Sequence, residues 1–161
     1  SAASDVYKRQ DLKCTSFEKS YQYNGQSDPF VQKEIPHLKE KIQNSQNDVE
    51  KAIASQLLHN LEFKASKGEM VLKLYSHIIK LGNILFISLP GDITAALGKR
   101  IVDHFKDYKV IILGYCENYS NYFVCKEDYS KYFETYISRL SKGNADDFIQ
   151  HVINEADGLL K

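Results

Sequence analysis

An aspartate at the end of an apolar run is the first feature of this sequence that could take part in chemistry. In the segment 84-ILFISLPGDITAALGKRIVDHF-105, Pro90 and Gly91 separate the apolar run from Asp92. Glycine permits backbone angles that other residues resist, and open α/β sheets bind ligands beyond the carboxyl ends of their strands. Asp92 is therefore a candidate ligand-binding residue. The alternative is that Asp92 or Thr94 caps the helix that follows.

A tyrosine-rich loop is the second candidate. The run GYCENYSNYF follows the apolar segment 109-KVIILG-114, so its side chains could project into the same crevice as Asp92. A tyrosine can bind a metal ion as its phenolate, because a divalent cation favours the charged form. Buried tyrosines more often pack their rings and find one hydrogen-bond partner. The pattern alone does not choose among Tyr115, Tyr119 and Tyr122.

The elements that must position these residues follow an α/β pattern. A helix is predicted over 48–62, with Asn47-Asp48 at its start. Two strands joined at Gly82-Asn83 are predicted within 70–89, and the second is expected to be covered on both faces. A further helix, ending before Asp107, and a strand over 109–114 complete a predicted parallel crossover. The apolar residues expected to share one face of the first helix are Val49, Ile53, Leu57, Leu58 and Leu61.

The remaining segments complete the predicted fold. Residues 11–35 predict a loop with one short helix around 16–21, because Asn-Gly and Asp-Pro pairs interrupt them. A helix from about 127 would place three tyrosines on one face, and an amphipathic helix is predicted over 144–160. The expected fold class is α/β with mixed α and β layers, in which helices flank a central, largely apolar sheet.

Charge and composition exclude several classes of function. Lys and Arg together number 21, as do Asp and Glu, so no net charge attracts nucleic acid or anionic lipid. No apolar run approaches the roughly 18 to 20 residues of a membrane-spanning helix. The three cysteines lack CxxC spacing and the five histidines lack an HxxxH pair. Neither residue type therefore predicts a zinc site by itself.

The two candidate segments together resemble the C-terminal part of the catalytic domain of the neutral/alkaline non-lysosomal ceramidases. That family has a strand ending in Pro-Gly-Glu, a glycine six residues after the acid, then a strand leading to Gly-x-x-Asn-x-Tyr-x-x-Tyr and an acidic-acidic-Tyr run. This chain has ISLPGDITAALG, an apolar strand, GYCENYSNY and EDY in the same order. The similarity covers roughly residues 45–160 and includes SRLSKGNADDFIQ. It implies part of a larger zinc hydrolase domain that hydrolyses the ceramide amide to sphingosine and a fatty acid.

The resemblance implies two metal ligands in this chain. Asp92 matches the acid of the Pro-Gly-Glu motif and Tyr122 matches the last tyrosine of the loop motif, so both are expected to bind Zn²⁺. The two histidine ligands and the nucleophilic serine are expected upstream, so this chain should hold no catalytic residue and should be inactive alone. The implied substrate is a sphingolipid or another N-acyl amide. The residues expected to shape the site are Pro90, Gly91, Gly98 and Gly114.

Two departures from the family pattern alter the expected site. Asp92 replaces a glutamate, which shortens the ligand by roughly an ångström, whereas zinc–oxygen distances hold near about 2.0–2.2 Å. Asn118 lies one position later than the family's asparagine, where this chain has Glu117. One alternative is a non-catalytic binding or structural domain of the same fold, with Asp92 reduced to a helix cap. Another is a sugar- or nucleotide-binding module that uses the tyrosine-rich loop for stacking.

The first ten residues differ in character from the rest. SAASDVYKRQ resembles a translated adapter sequence, and we expect 1–10 to be a non-native scar. Residues 11–161 are then expected to form the C-terminal part of a single ceramidase-like catalytic domain. By the resemblance, we expect the intact protein to be secreted or bacterial.

Overall fold

The chain combines strands and helices in a mixed order. The computed structural model describes residues 11–161, so the expected scar at 1–10 lies outside the described residues. In chain order the elements are β1 (Leu12–Asn24), α1 (Pro29–Asn44), α2 (Asp48–Ala65), β2 (Glu69–Leu81), β3 (Ile84–Ser88), β4 (Asp92–Ile93), α3 (Ala95–His104), β5 (Lys109–Leu113), β6 (Tyr122–Phe123), α4 (Glu134–Ile137) and α5 (Asn144–Leu160). The fold class is mixed α/β, as the sequence predicts.

The main sheet has the strand order β1, β2, β3, β5. The first two strands pair antiparallel over their full length, and β2 pairs antiparallel with β3 across a turn in which Gly82 adopts a left-handed φ of 59°. The strands β3 and β5 are parallel, and α3 connects them, which confirms the predicted crossover. The short strands β4 and β6 pair in parallel as a second sheet.

One face of the main sheet forms the principal core with α3 and α5. Leu85 and Ile87 of β3, Leu97 and Ile101 of α3 and Phe148 of α5 are fully buried in one cluster. The predicted amphipathic helix over 144–160 is confirmed in the bounds of α5. None of the helices within residues 11–161 is long and apolar enough to cross a membrane.

The helices α1 and α2 pack together in a second, smaller core. The helix predicted from 48 is confirmed, and the Asn47 side chain caps it by accepting hydrogen bonds from two backbone N–H groups. Ala54 and Leu61 are buried against α1. The sequence predicts Val49 and Ile53 on this buried face, but both are exposed, and the face that packs on α1 contains Ala54, Leu57, Leu58 and Leu61 instead.

The opposite face of the main sheet is apolar and largely exposed at one end. Register pairing places Leu12 of β1 beside Leu81 of β2, and places Ile79 of β2 beside Phe86 of β3. Leu12, Leu81 and Ile79 are exposed, while Phe86 is half-buried. We call these four residues the open apolar face. On β3 itself, Ile84 and Phe86 of this face are half-buried, so the predicted cover on both faces is only partial within the described residues.

Two further predictions differ from the structure. Residues 11–35 form β1 and the start of α1 rather than a loop, because Phe17, Tyr21 and Tyr23 alternate toward the core and Asp28 caps α1 through the N–H of Phe30. The segment after 127 is mostly turns, since Ser130 has a positive φ of 74°. Between 127 and 140, only α4 is helical, so the three tyrosines of this segment do not share one helix face.

Candidate functional site

A bend after β3 places the candidate acid next to the tyrosine-rich loop. The backbone N–H of Ser120 donates to the carbonyl of Pro90 at 2.7 Å, and the N–H of Tyr115 donates to the carbonyl of Gly91 at 3.2 Å. The N–H of Cys116 reaches the carbonyl of Leu89 at 3.0 Å. These hydrogen bonds satisfy backbone groups of the bend and fasten it to the loop.

Close approach between segments explains the glycines of the site. A Cβ atom on Gly91 would lie 2.4 Å from the carbonyl oxygen of Asn121 and 2.6 Å from the Phe123 ring. A Cβ on Gly98 would lie 3.2 Å from Ile93, where α3 approaches the sheet. Glycine at 91 is therefore required by space, since its backbone angles are not left-handed.

Asp92 and Tyr122 lie opposite each other in the parallel pair of β4 and β6. The N–H of Asp92 donates to the carbonyl of Asn121 at 2.9 Å, and the N–H of Thr94 donates to that of Phe123 at 3.1 Å. Residues paired across neighbouring strands point to the same face, and such strands lie about 4.8 Å apart. The two residues for which the sequence suggests metal binding are thus adjacent, half-buried side chains.

Asp92 does not cap the helix that follows it. The N-cap of α3 is Thr94, which makes no capping hydrogen bond through its side chain. The Asp92 carboxylate instead accepts a hydrogen bond of 2.7 Å from the hydroxyl of Tyr115. That hydrogen bond, followed by desolvation and by the charge of Asp92, raises the pKa of Tyr115 to about 12. Thr94 therefore occupies the N-cap position, but neither Asp92 nor Thr94 caps the helix through its side chain.

The loop between β5 and β6 is strained. Tyr115, Glu117 and Asn121 have positive φ angles of 59°, 55° and 62°, which residues other than glycine adopt at a cost. The rings of Tyr115 and Tyr119 stack with their centres 5.2 Å apart. Several interactions hold this loop in one conformation, and they orient the side chains around Asp92.

The sequence does not predict the polar contacts that join this loop to β2. Glu117, which stands where the resembling family has asparagine, contacts His77 of β2 through Oε1 and Nε2 at 3.0 Å. Asn118 donates to the carbonyl of Lys73 at 2.6 Å. The two partners lie 40 and 45 positions away from the loop, and only the register of β2 brings them near it. No short motif could have indicated these contacts.

The residues of this site fit part of a zinc site. Carboxylate and phenolate oxygens bind zinc, and Asp92 and Tyr122 offer one of each from adjacent strands. Structural and catalytic zinc ions commonly take about four ligands. Within residues 11–161, no three His, Cys, Asp or Glu side chains lie close enough together to hold a metal ion. Any zinc bound here would need ligands in addition to this pair.

Comparisons with known proteins give a distant likeness to ceramidases. No protein-family model and no curated protein matches this chain. Its structure is similar to part of a ceramidase complexed with C2, with a TM-score of 0.47 and 18% identity, over 52% of this chain and 14% of that chain. It is also similar to part of the neutral ceramidase from Pseudomonas aeruginosa, with a TM-score of 0.45 and 17% identity, over 52% and 15% of the two chains. Both TM-scores are too low for the likeness by itself to assign an activity.

Proposed function

We propose that this chain is the C-terminal part of the catalytic domain of a zinc-dependent amide hydrolase of the ceramidase type. Asp92 and Tyr122 would hold Zn²⁺ from the C-terminal side of the site. The observation that carries the proposal is the in-register pairing of these two residues, whose segments are 30 positions apart in sequence (122 − 92). The two motifs match the family pattern independently of that pairing.

Each residue of the site would have a distinct task in the intact enzyme. Bound zinc would act as a Lewis acid on an amide carbonyl or activate an oxygen nucleophile. Asp92 would bind the metal through the oxygen that Tyr115 does not contact, because the Tyr115 hydroxyl occupies Oδ2. Such hydrogen bonds to ligands orient them and tune the metal. Tyr122 would add the second oxygen, and the nucleophile would come from outside residues 11–161.

The shorter aspartate is compatible with this proposal. Asp92 lies on a bend that hydrogen bonds hold to the loop, so the backbone rather than the side chain can set its reach. The Tyr115 contact fixes the carboxylate further. A sphingolipid or another N-acyl amide is the proposed substrate class, and this chain alone is expected to be inactive.

Zinc analysis of the product of the complete reading frame tests the proposal. We expect about one zinc ion per chain, as for a catalytic zinc site, and hydrolysis of an N-acylsphingosine to sphingosine and fatty acid. Asp92→Ala and Tyr122→Phe should each lose most of the zinc and of the activity. The matched controls Asp103→Asn and Tyr132→Phe, at exposed positions, should keep both. Unchanged zinc content in both site variants would contradict the metal assignment.

A non-catalytic binding domain is the second candidate. The observation in its favour is the exposed, stacked pair of Tyr115 and Tyr119, since aromatic faces bind sugars and bases. Each ring covers one face of the other ring, so only the outer face of each ring is open to a ligand. A folded full-length protein without bound zinc, but with sugar or nucleotide binding that Tyr119→Ala abolishes, would favour this candidate.

A further inference from the structure

A basic and apolar pocket lies apart from the Asp92 site, between the end of α2, the start of β2 and the segment before residue 140. Its volume is about 260 Å³. A neighbouring pocket of about 220 Å³ shares three of its residues. We call the first of these the lysine pocket. Its lining residues are Tyr23, Phe63, Lys64, Lys67, Met70 and Arg139.

Three of the residues that line the lysine pocket are cationic and none is acidic. Lys64 is only 7% exposed, although a buried ammonium group is costly unless an anion pairs with it. Its Nζ donates to the carbonyl of Thr135 at a long distance of 3.4 Å. Among the described residues, no carboxylate lies within salt-bridge distance of Lys64. The ammonium group therefore retains hydrogen-bonding capacity for another acceptor.

The other cations of the lysine pocket are also available. Lys67 lies over the ring of Phe63 at 4.3 Å. Arg139 is exposed and has no ion pair among residues 11–161. A guanidinium group binds a carboxylate through two parallel hydrogen bonds, which a lysine cannot do. The pocket thus combines the guanidinium group of Arg139, which can donate two parallel hydrogen bonds, with the buried ammonium group of Lys64.

A tyrosine ring and two apolar side chains complete the pocket. Tyr23 is 4% exposed, and its hydroxyl has no hydrogen-bond partner among the described residues. That hydroxyl oxygen is closed off from the protein surface, so only the ring of Tyr23 is offered to a ligand in the pocket. Phe63 and Met70 supply exposed apolar surface beside the charges.

We propose that the lysine pocket binds a small monocarboxylate with an apolar body. Arg139 and Lys64 would bind the carboxylate. Phe63 and Met70 would contact the apolar body. The volume suits a short acyl or aryl chain rather than a long lipid. Burial, opposed by the charge of Asp28, lowers the pKa of Lys64 to about 8, which is consistent with an ammonium group that lacks a close anion. The site does not depend on the proposed hydrolase activity.

Calorimetric titration of the full 161-residue chain with sodium octanoate tests the proposal. We expect saturable binding at one site, and we expect octanol to bind at least about tenfold more weakly, because hydrogen bonds to charged groups are stronger than neutral ones. Arg139→Gln, at an exposed position, and Lys64→Met should each weaken octanoate binding about tenfold or more. Lys109→Gln, a charge loss on β5, is the matched control and should not change the affinity.

Several results would overturn the proposal. Octanol binding as tightly as octanoate would show that the pocket recognises only apolar surface. Octanoate affinity that is unchanged in folded Arg139→Gln would remove the carboxylate assignment, as would the absence of octanoate binding at millimolar concentration. Circular dichroism of each variant establishes that a loss of binding is not a loss of folding.

Discussion

The buried ammonium group of Lys64 destabilises the folded state, and this free-energy cost depends on pH. Burial lowers the pKa of Lys64 from 10.5 to about 8, so the folded state binds this proton less tightly than the unfolded state. Below about pH 8 both states are protonated and the whole cost is present. As pH rises from about 8 to 10.5, the folded state is neutral first and the cost declines.

We therefore expect Lys64→Met to raise the free energy of unfolding near pH 7. The difference in pKa corresponds to about 3 kcal/mol, and loss of the Thr135 contact reduces the net gain to roughly 1–3 kcal/mol. Urea unfolding of both proteins at pH 7 and near pH 10 should show a smaller gain at the higher pH. Lys67→Met, at an exposed position, should change stability by less than about 0.5 kcal/mol. A Lys64→Met variant that is less stable than wild type at pH 7 would contradict the argument.

At the scale of residues, the sequence is informative about Asp92 but not about its partner. An acid after Pro-Gly at the end of an apolar run indicates a special position, whatever its role. The sequence does not distinguish which of the three loop tyrosines contacts Asp92. That contact depends on the backbone angles of a loop with several positive φ values. Tyr115 donates to Asp92, and Tyr122 lies beside it in the sheet. Zinc binding at Asp92 and Tyr122 stays a prediction.

At the scale of elements, the bend between β3 and β4 depends on the absence of a side chain at residue 91. We expect Gly91→Ala to destabilise the fold by roughly 2–4 kcal/mol, because its Cβ would clash with the Asn121 carbonyl and the Phe123 ring. Chemical unfolding measures the change. Amide hydrogen exchange at Asp92 and Thr94 should also accelerate, since their N–H groups join β4 to β6.

Gly158→Ala is the matched control for this substitution. Gly158 lies in α5, and a Cβ atom added there would have no neighbouring atom within 4 Å among the described residues. Alanine is favoured over glycine in helices, so this variant should be more stable by roughly 0.5–1 kcal/mol. Equal effects of the two substitutions would mean that space at residue 91 does not govern the bend.

The elements that the sequence predicts well have strong, regular patterns. The strands β2 and β3 and the helices α2, α3 and α5 combine apolar periodicity with clear end signals. The strand β1 escapes prediction because Lys13, Thr15 and Lys19 share the inward face with its aromatic residues, so the apolar alternation is incomplete. The pair Asp28-Pro29 indicates a break, yet the same pair is a favourable helix start, with aspartate at the N-cap and proline in the first turn.

At the scale of the whole molecule, the open apolar face distinguishes the two sides of the main sheet. Exposed apolar patches of this kind bind hydrophobic dyes and reduce solubility. Replacing Leu12 with lysine and Leu81 with glutamate puts opposite charges at a cross-strand pair, which stabilises sheets by roughly 0.2–1 kcal/mol. We expect the double variant to be as stable as wild type and to bind much less anilinonaphthalene sulfonate.

Ile78→Lys is the control for that experiment. Ile78 lies on the same strand but points to the principal core, where it is fully buried. A lysine there should unfold the protein, because a buried unpaired charge costs several kcal/mol. Dye fluorescence that stays unchanged in the Leu12 and Leu81 double variant would mean that the open apolar face is not the dye-binding surface.

The contact between β1 and α5 sets the order in which the protein can fold during synthesis. The Tyr21 hydroxyl donates to Asp147 at 2.7 Å, and the two residues are 126 positions apart. Synthesis proceeds at roughly 5–20 residues per second, so Asp147 is added roughly 6–25 s after Tyr21, which lies 126 positions before it. Throughout this interval α5 has not been synthesised, so the core-facing side chains of β1 are not packed against it. Emergence of α5 from the ribosome therefore determines the earliest time at which the nascent chain can reach its native core.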